Sequence, residues 1–244
     1  MTAAAQPGAT PRGPWLALDT ATSHAVVALG DAPSASRAVA WHAGHQHGET
    51  LLPAIESLLR DAGVARADLA AIVVGTGPGA FTGLRVGLAT AKTMAHELGC
   101  PIIAIPTAAA LATAIAPRVA GWPILIVQPA GPHDRYATTV RRGEGGVPAV
   151  EAARLVVSGD PLPAGGGSRV AIDLAPTAAG ITGEMVELGR EALGGLGPAL
   201  LAVGGLVLAA GRSDDAASLV PLYVTLPRGV PEAVGAQAWS PDLR

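Results

Sequence analysis

The residues best able to do chemistry form two short segments, and the first begins at Asp19. Asp19-Thr20-Ala21-Thr22 follows an apolar run. A carboxylate beside two hydroxyls could hold a metal and a phosphate. The same residues are common in hairpin turns, where an aspartate accepts hydrogen bonds from nearby amides. The turn is the favoured interpretation, and a degenerate phosphate turn of Asp19, Thr20 and Thr22 stays open.

The second segment, residues 75–85, is rich in glycine and lies between a predicted strand and a predicted helix. Free amides at a helix start suit an anion. The Walker pattern fails because no lysine follows, and the dinucleotide pattern fails because Thr82 stands where glycine is required. A structural turn or a docking element is therefore favoured over nucleotide binding. The residues that define this turn are Gly77, Pro78, Gly79, Phe81, Thr82, Gly83 and Arg85.

Histidine and cysteine contribute little further chemistry. His42, His45 and His47 are close enough to bind a transition metal, but only Glu49 is near to complete the ligand set, so a solvated loop is favoured. The single cysteine, Cys100, is expected to be a small buried residue. No serine-hydrolase elbow is present. The absence of a catalytic set favours a binding role, and a role as an enzyme on its own is not expected.

Composition limits the class of protein. Of 244 residues, half are apolar, and the net charge is −3 with Lys92 as the single lysine. Such a chain lacks the basic surface that proteins binding nucleic acid alone usually carry. One cysteine excludes an internal disulfide and suggests a reducing, cytoplasmic compartment. The uncharged stretch 192–211 is broken by glycines and Pro198, which favours a buried core over a membrane span.

The chemistry-bearing segments require particular elements to position them. Strands are expected at 15–18, 25–29, 37–41, 70–74 and 101–105, and more weakly at 122–127, 136–140 and 169–174. Helices are expected at 48–62, 82–98, 107–116 and 184–193, and 219–226 is read as a last strand or a docking tail. The order predicts an α/β fold of mixed sheets with flanking helices. Two helices carry regular seams, formed by Leu51, Leu52, Ile55, Leu58 and Leu59 in the first and by Gly83, Leu84, Gly87, Leu88, Ala91 and Ala95 in the second.

Four separate motifs resemble one family. Residues 16–22 resemble its opening strand and turn, 47–53 its first helix start, 76–85 its ten-residue glycine signature, and 221–224 its C-terminal motif. The family is TsaB, also called YeaZ, a subunit of the bacterial machinery that makes threonylcarbamoyladenosine in tRNA. The chain departs from the pattern at Thr76, which replaces an arginine, and after Gln128, where an Asp-Ala-Arg motif is missing.

The resemblance implies a two-lobed, actin-like ASKHA fold with ribonuclease-H-like sheets. Residues 14–116 would form the first lobe, with 219–228 docking back onto it, and 117–218 a degenerate second lobe. Residues 1–13 and 229–244 would be flexible tails.

The resemblance also implies a non-catalytic subunit that binds and activates a TsaD-like threonylcarbamoyltransferase, which modifies adenosine 37 of ANN-decoding tRNAs. A TsaE-like ATPase would join them, ATP and a metal would lie in the partner subunits, and tRNA would be met only through the complex. The first two helices would bundle with the partner, so the residues of both seams are expected at the interface. Self-association stays open, and the alternative function is a freestanding actin-like ATPase or small-molecule kinase.

Overall fold

Two mixed β-sheets, one from each half of the chain, enclose two helices between them. The computed structural model describes residues 11–31, 34–35, 37–44, 46–165 and 167–224. Its strands are β1 Trp15–Asp19, β2 His24–Gly30, β3 Arg37–His42, β4 Ala71–Gly75, β5 Ile102–Ile105, β6 Ile124–Pro129, β7 Arg135–Arg141, β8 Ala149–Val150, β9 Arg154–Val156 and β10 Ser168–Ala171. Its helices are α1 His47–Ala62, α2 Phe81–Leu98, α3 Thr107–Ile115, α4 Gly183–Gly194 and α5 Leu196–Ala209.

The first sheet has the order β3-β2-β1-β4-β5. β1 pairs antiparallel with β2 and parallel with β4, and β4 pairs parallel with β5. Its central strands are apolar on both faces because both faces are covered. Helices α1 and α2 pack on the face that carries Leu16, Leu18, Ile72 and Val74. Asp19 belongs to the opposite face of β1, the one that carries Trp15 and Ala17.

The second sheet has the order β10-β6-β7-β8, and β9 pairs with β7 beside β8. β10 runs parallel to β6, and β6 and β7 form an antiparallel hairpin. Helix α4 packs against β10, where Gly189 approaches the backbone of Ala171 so closely that a Cβ would lie 1.8 Å from the carbonyl oxygen. The two short strands β8 and β9 were not expected from the sequence.

Helices α3 and α5 fill the space between the sheets. The largest core cluster joins both helices to Trp15, Val73 and Ile105 of the first sheet and to Ile126 and Val170 of the second. Helix α5 lies in the range assigned above to the second lobe, yet it packs on the first sheet. Gly197 and Gly204 allow this approach, because a Cβ at either would press against Val26, Ala28 or Val73.

The C-terminal segment 214–223 runs along the edge of the first sheet without becoming a strand. Asp214 forms a single bridge with Ile102, and Leu219 packs against the core under α2. The Leu222 amide donates to the carbonyl of Thr76 at 2.9 Å, next to the glycine-rich turn. Residues 225–228 of the proposed docking segment, residues 1–10 and residues 229–244 lie outside the described residues.

No single helix of the described residues is long and apolar enough to cross a membrane. Helices α4 and α5 reach that length and apolarity only when they are taken together, and a 66° bend separates them. Within the fold, Leu196, Leu200 and Leu201 of α5 are fully buried between the sheets. The apolar character of 192–211 is thus accounted for by the core.

Candidate functional site

Asp19 is completely buried and does not face solvent. Its Oδ1 accepts a hydrogen bond from the Ala21 amide, and its Oδ2 accepts one from the hydroxyl of Thr107, each at 2.7 Å. Burial raises the pKa of the Asp19 carboxyl from 3.8 to about 6, although both hydrogen bonds act against the rise. Thr107, at the start of α3, also accepts a hydrogen bond from the Gly77 amide at 3.0 Å. The carboxylate therefore ties three segments of the chain together.

The hydroxyls of the same turn are also occupied by the chain itself. The Thr20 hydroxyl donates to the carbonyl of Gly83 at 2.7 Å, and the Thr22 hydroxyl donates to the carbonyl of His24 at 2.9 Å. The Ala80 amide donates to the carbonyl of Ala21 at 2.7 Å. The turn at 19–22 is thus in direct contact with the glycine-rich turn.

Glycines at intervals of four make this contact sterically allowed. A Cβ at Gly75 would lie 1.7 Å from Asp19 Oδ2, and one at Gly79 would lie 2.0 Å from the carbonyl oxygen of Ala21. Further along, a Cβ at Gly83 or Gly87 would lie 2.1 or 2.2 Å from an oxygen of Thr20. The glycine signature therefore lets the first turn of the chain pack directly against it. This is the structural role favoured by the sequence.

The remaining residues of the signature form an aromatic cluster at the start of α2. The Arg85 guanidinium lies 3.8 Å from the centroid of the Phe81 ring, and its Nε donates to the Tyr223 hydroxyl at 3.1 Å. The Phe81 and Tyr223 rings are 5.3 Å apart. Thr82 is exposed beside them. The C-terminal motif is therefore held against the glycine signature through Tyr223, within the segment that was expected to dock onto the first lobe.

A cleft of about 880 Å³ opens between the two sheets next to this cluster. Gln128 and Tyr136, a cross-strand pair of β6 and β7, line it together with the carboxylates of Asp134 and Asp173. None of the described residues that line it is a lysine or an arginine. The described lining therefore lacks the cationic side chains that most often bind phosphate.

Hydrogen bonds join the lobes at this cleft. Asp173 accepts hydrogen bonds from the Ser23 amide at 2.6 Å and from the Ser23 hydroxyl at 2.7 Å. The Gln128 side-chain amide donates to the carbonyl of Pro78 at 3.3 Å. Gln128 lies near the end of β6, just before the place where the family has an Asp-Ala-Arg motif that this chain lacks. It connects the second sheet with the glycine-rich turn.

The structure contradicts the assignment of the helix seams to a partner interface. All but one of those residues are buried within the chain: Leu51, Ile55, Leu58, Leu59, Gly83, Leu84, Gly87, Leu88, Ala91 and Ala95. Leu52 is the exception, at 52% exposure. The seams face the first sheet because the most apolar stripe of each helix covers the strands beneath it. A partner cannot reach side chains that already fill the core.

The surface that a partner can reach is the opposite side of the same two helices. We define the outer helix surface as exposed Leu52 and Glu56 of α1 with exposed Ala89 and Thr93 of α2. Val86, half-buried on α2, lies where the helices approach, since a Cβ at Gly48 would meet it at 3.9 Å. Small, uncharged side chains on α2 would let another helix come close.

The histidines do not assemble into a metal site within the described residues, where no group of three potential ligands occurs. His47 is buried, with Nε2 3.2 Å from the carbonyl oxygen of Thr22. His42 packs edge-on against His24, with ring centroids 5.3 Å apart. His45 lies outside the described residues.

Comparisons with known proteins agree with this geometry. Residues 40–149 match the family model described as TsaD, tRNA N6-adenosine threonylcarbamoyltransferase. An uncharacterized protein of Mycobacterium tuberculosis is 35% identical over 229 residues, which cover 90% of this chain and 95% of that protein. The tRNA threonylcarbamoyladenosine biosynthesis protein TsaB of Bacillus subtilis is 46% identical over 66 residues, or 27% of this chain and 29% of its own. This chain belongs to the TsaB (YeaZ) family.

The fold of the TsaB family extends over most of the chain. YeaZ from Pseudomonas aeruginosa superposes with a TM-score of 0.66 at 23% identity, and the match covers 87% of this chain and all of that one. The actin-like, two-lobed ASKHA fold predicted from the motifs is confirmed. Its second sheet has the order β10-β6-β7-β8 with β9 paired to β7, although the sequence resemblance there is faint.

Proposed function

We propose that this chain is a non-catalytic partner subunit that binds and activates a TsaD-like threonylcarbamoyltransferase in the t6A modification of tRNA. The observation that carries the proposal is the burial of the Asp19 carboxylate in the first turn. Asp19, the residue best placed to act on a nucleotide in an actin-like fold, is buried and bonded to Thr107 and Ala21. Its pKa of about 6 reflects isolation from water and from any cation within the described residues.

The outer helix surface is where we place the partner. It is the exposed side of the two helices that the family resemblance implicates in a bundle, and it is accessible in the free chain. A four-helix arrangement would bury Leu52 and Ala89, whose side chains need no polar partner when they are removed from water. In the absence of a transferase, the same surface would pair two copies of this chain.

Further components follow from the same proposal. The chemistry would belong to the transferase, which would also hold the ATP and the metal, and a TsaE-like ATPase would join the assembly. The cleft between the lobes supports this division, because its charged lining residues are the carboxylates Asp134 and Asp173. A freestanding ATPase would need a carboxylate within reach of the nucleotide, and Asp19 is buried.

The test is co-purification with the TsaD-like protein of the same host, followed by gel filtration with light scattering. Ala89→Arg should abolish the complex while leaving the unfolding transition of the chain unchanged, because Ala89 is exposed. Val39→Arg, at a 46% exposed position on the edge strand β3, is the matched control and should bind normally. A complex that tolerates Ala89→Arg would place the partner elsewhere, and no complex with the unaltered chain would refute the proposal.

A cellular measurement addresses the activation step. Deletion of the gene should remove threonylcarbamoyladenosine from ANN-decoding tRNAs, and the unaltered chain should restore it where Ala89→Arg does not. A deletion strain with normal levels of the modification would refute the proposed function.

A further inference from the structure

The second sheet carries a concentration of arginine that the proposed function does not use. On its outer face, away from α3, a groove of about 400 Å³ is lined by Arg141, Arg154 and Arg169. We call this the arginine groove. Glu151 is the single carboxylate among its described lining residues. The local balance is therefore positive in a chain whose net charge is −3.

The strand register explains why these side chains meet. Arg169 of β10 is paired with Leu125 of β6, and Leu125 is paired with Thr139 of β7. Arg154 of β9 is paired with Ala137, two residues before Thr139 on the same face. Neighbouring strands lie about 4.8 Å apart, so Arg169 and the β7 side of the groove are separated by roughly 10 Å. Guanidinium groups thus stand on both sides of a shallow channel.

Two of the three arginines have donors to spare. Arg141 is engaged, because its Nε donates to Glu151 Oε1 at 2.7 Å. That hydrogen bond, with a smaller contribution from the charge of Arg154, holds the pKa of the Glu151 carboxyl below its usual value. Among the described residues, the side chain of Arg154 makes no ion pair or hydrogen bond, and the side chain of Arg169 donates only to the carbonyl of Pro163 at 3.3 Å. The hydroxyls of Thr139 and Ser168 also line the groove.

We propose that the arginine groove binds the phosphate backbone of an RNA strand. Arginine is the preferred side chain for phosphate oxygens, because its planar fork donates two hydrogen bonds at once. A single guanidinium would satisfy a small free anion, whereas cations on both sides of a channel suit a polymer that presents phosphates in succession. The binding would be independent of sequence, as backbone contacts are.

This inference rests on the proposed function, which brings the chain next to tRNA. The isolated chain is acidic, so its groove alone would hold RNA weakly. In an assembly the groove would add contacts to those made by the transferase. Those contacts would help to position the tRNA.

The test measures tRNA affinity of the complex with the TsaD-like partner as a function of salt concentration. Each phosphate contact contributes about 0.7 to 0.9 to the slope of log affinity against log salt. Arg154→Ala/Arg169→Ala should therefore reduce the slope by roughly 1.4 to 1.8 and weaken binding about tenfold at low salt. Arg154→Lys/Arg169→Lys should retain the slope, because the charges remain. The control Arg66→Ala/Arg190→Ala removes two exposed arginines outside the groove and should change nothing.

The outcomes separate the two proposals. A complex that forms normally but has the same affinity and slope with the double alanine variant overturns the groove and leaves the partner role intact. If calorimetry shows that the groove binds inorganic phosphate, and tRNA affinity does not respond to the variants, the groove is an anion site and the RNA assignment is wrong. If the unaltered chain forms no complex, the proposed function fails and the groove proposal fails with it.

Discussion

Asp19 makes the stability of this protein depend on pH in a direction opposite to that of most carboxylates. Its pKa is raised from 3.8 to about 6 in the folded chain because burial disfavours the charged form. A shift of that size corresponds to about 3 kcal/mol. The contribution of the protonated Asp19 carboxyl to the stability of the fold is therefore fully present below about pH 3.8, and it is lost as the pH rises through about 6.

The variant Asp19→Asn isolates this effect. The amide keeps an acceptor for the Ala21 amide and carries no charge, so its stability should lack the Asp19 titration. The difference in free energy of unfolding, variant minus unaltered chain, should be larger at about pH 7 than at about pH 4 by roughly 2 to 3 kcal/mol. Any constant loss from altered hydrogen bonding cancels in this comparison.

Urea unfolding at a series of pH values measures the difference directly, provided that the m-values agree. Thr107→Val serves as a companion, because it removes a hydrogen bond that lowers the pKa of Asp19. With that variant, the window in which stability is lost should move to higher pH. A difference between Asp19→Asn and the unaltered chain that is constant from about pH 4 to 7, or that grows as the pH falls, would refute the account of a sealed carboxyl.

Two further predictions concern packing. Leu88→Ala should lower the free energy of unfolding by about 2 to 5 kcal/mol, because Leu88 is 3% exposed in the core under α2. Leu52→Ala should change that free energy by less than about 0.5 kcal/mol in the free chain. Equal losses of the two variants in urea unfolding would contradict the description of one buried and one exposed side on each helix. Gly83→Ala should lower the free energy of unfolding by about 1 to 3 kcal/mol, because the new Cβ would lie 2.1 Å from the Thr20 carbonyl oxygen. Gly48→Ala, whose Cβ meets only Val86 at 3.9 Å, should be neutral or stabilising. A Gly83→Ala chain as stable as the Gly48→Ala chain would exclude the steric role given to the signature.

Much of the first sheet could be predicted from the sequence because its signals are local. Apolar runs ended by polar turns mark β1, β2 and β4, and α1 ends where Gly63 adopts a left-handed conformation with φ 67°. Helix α5 was not predicted from the sequence, because its apolar residues surround the whole helix and give no periodicity. Its helical character depends on the two sheets that enclose it, and these are brought together only by the tertiary fold.

The contacts of the site could not be predicted because they are not local. Thr107 lies 88 residues from Asp19, and Tyr223 lies 138 residues from Arg85. Nothing in the spacing of these residues indicates that they meet. The glycine signature was recognisable as a pattern, but its purpose depends on which turn lies against it.

The helix seams show why periodicity in a sequence points to the core-facing side of a helix. The most apolar stripe of a helix is the one that its own core requires, as with Leu58 and Leu88. A surface that binds a partner reversibly must also be tolerated by water, so it is less apolar. The surface proposed here consists of isolated Leu52 with small residues such as Ala89. Periodicity therefore ranks the core face first, and the docking face becomes visible only after the sheet beneath the helices has been placed. For a protein proposed to work through its partner, the weaker of two helix faces is the one on which function depends.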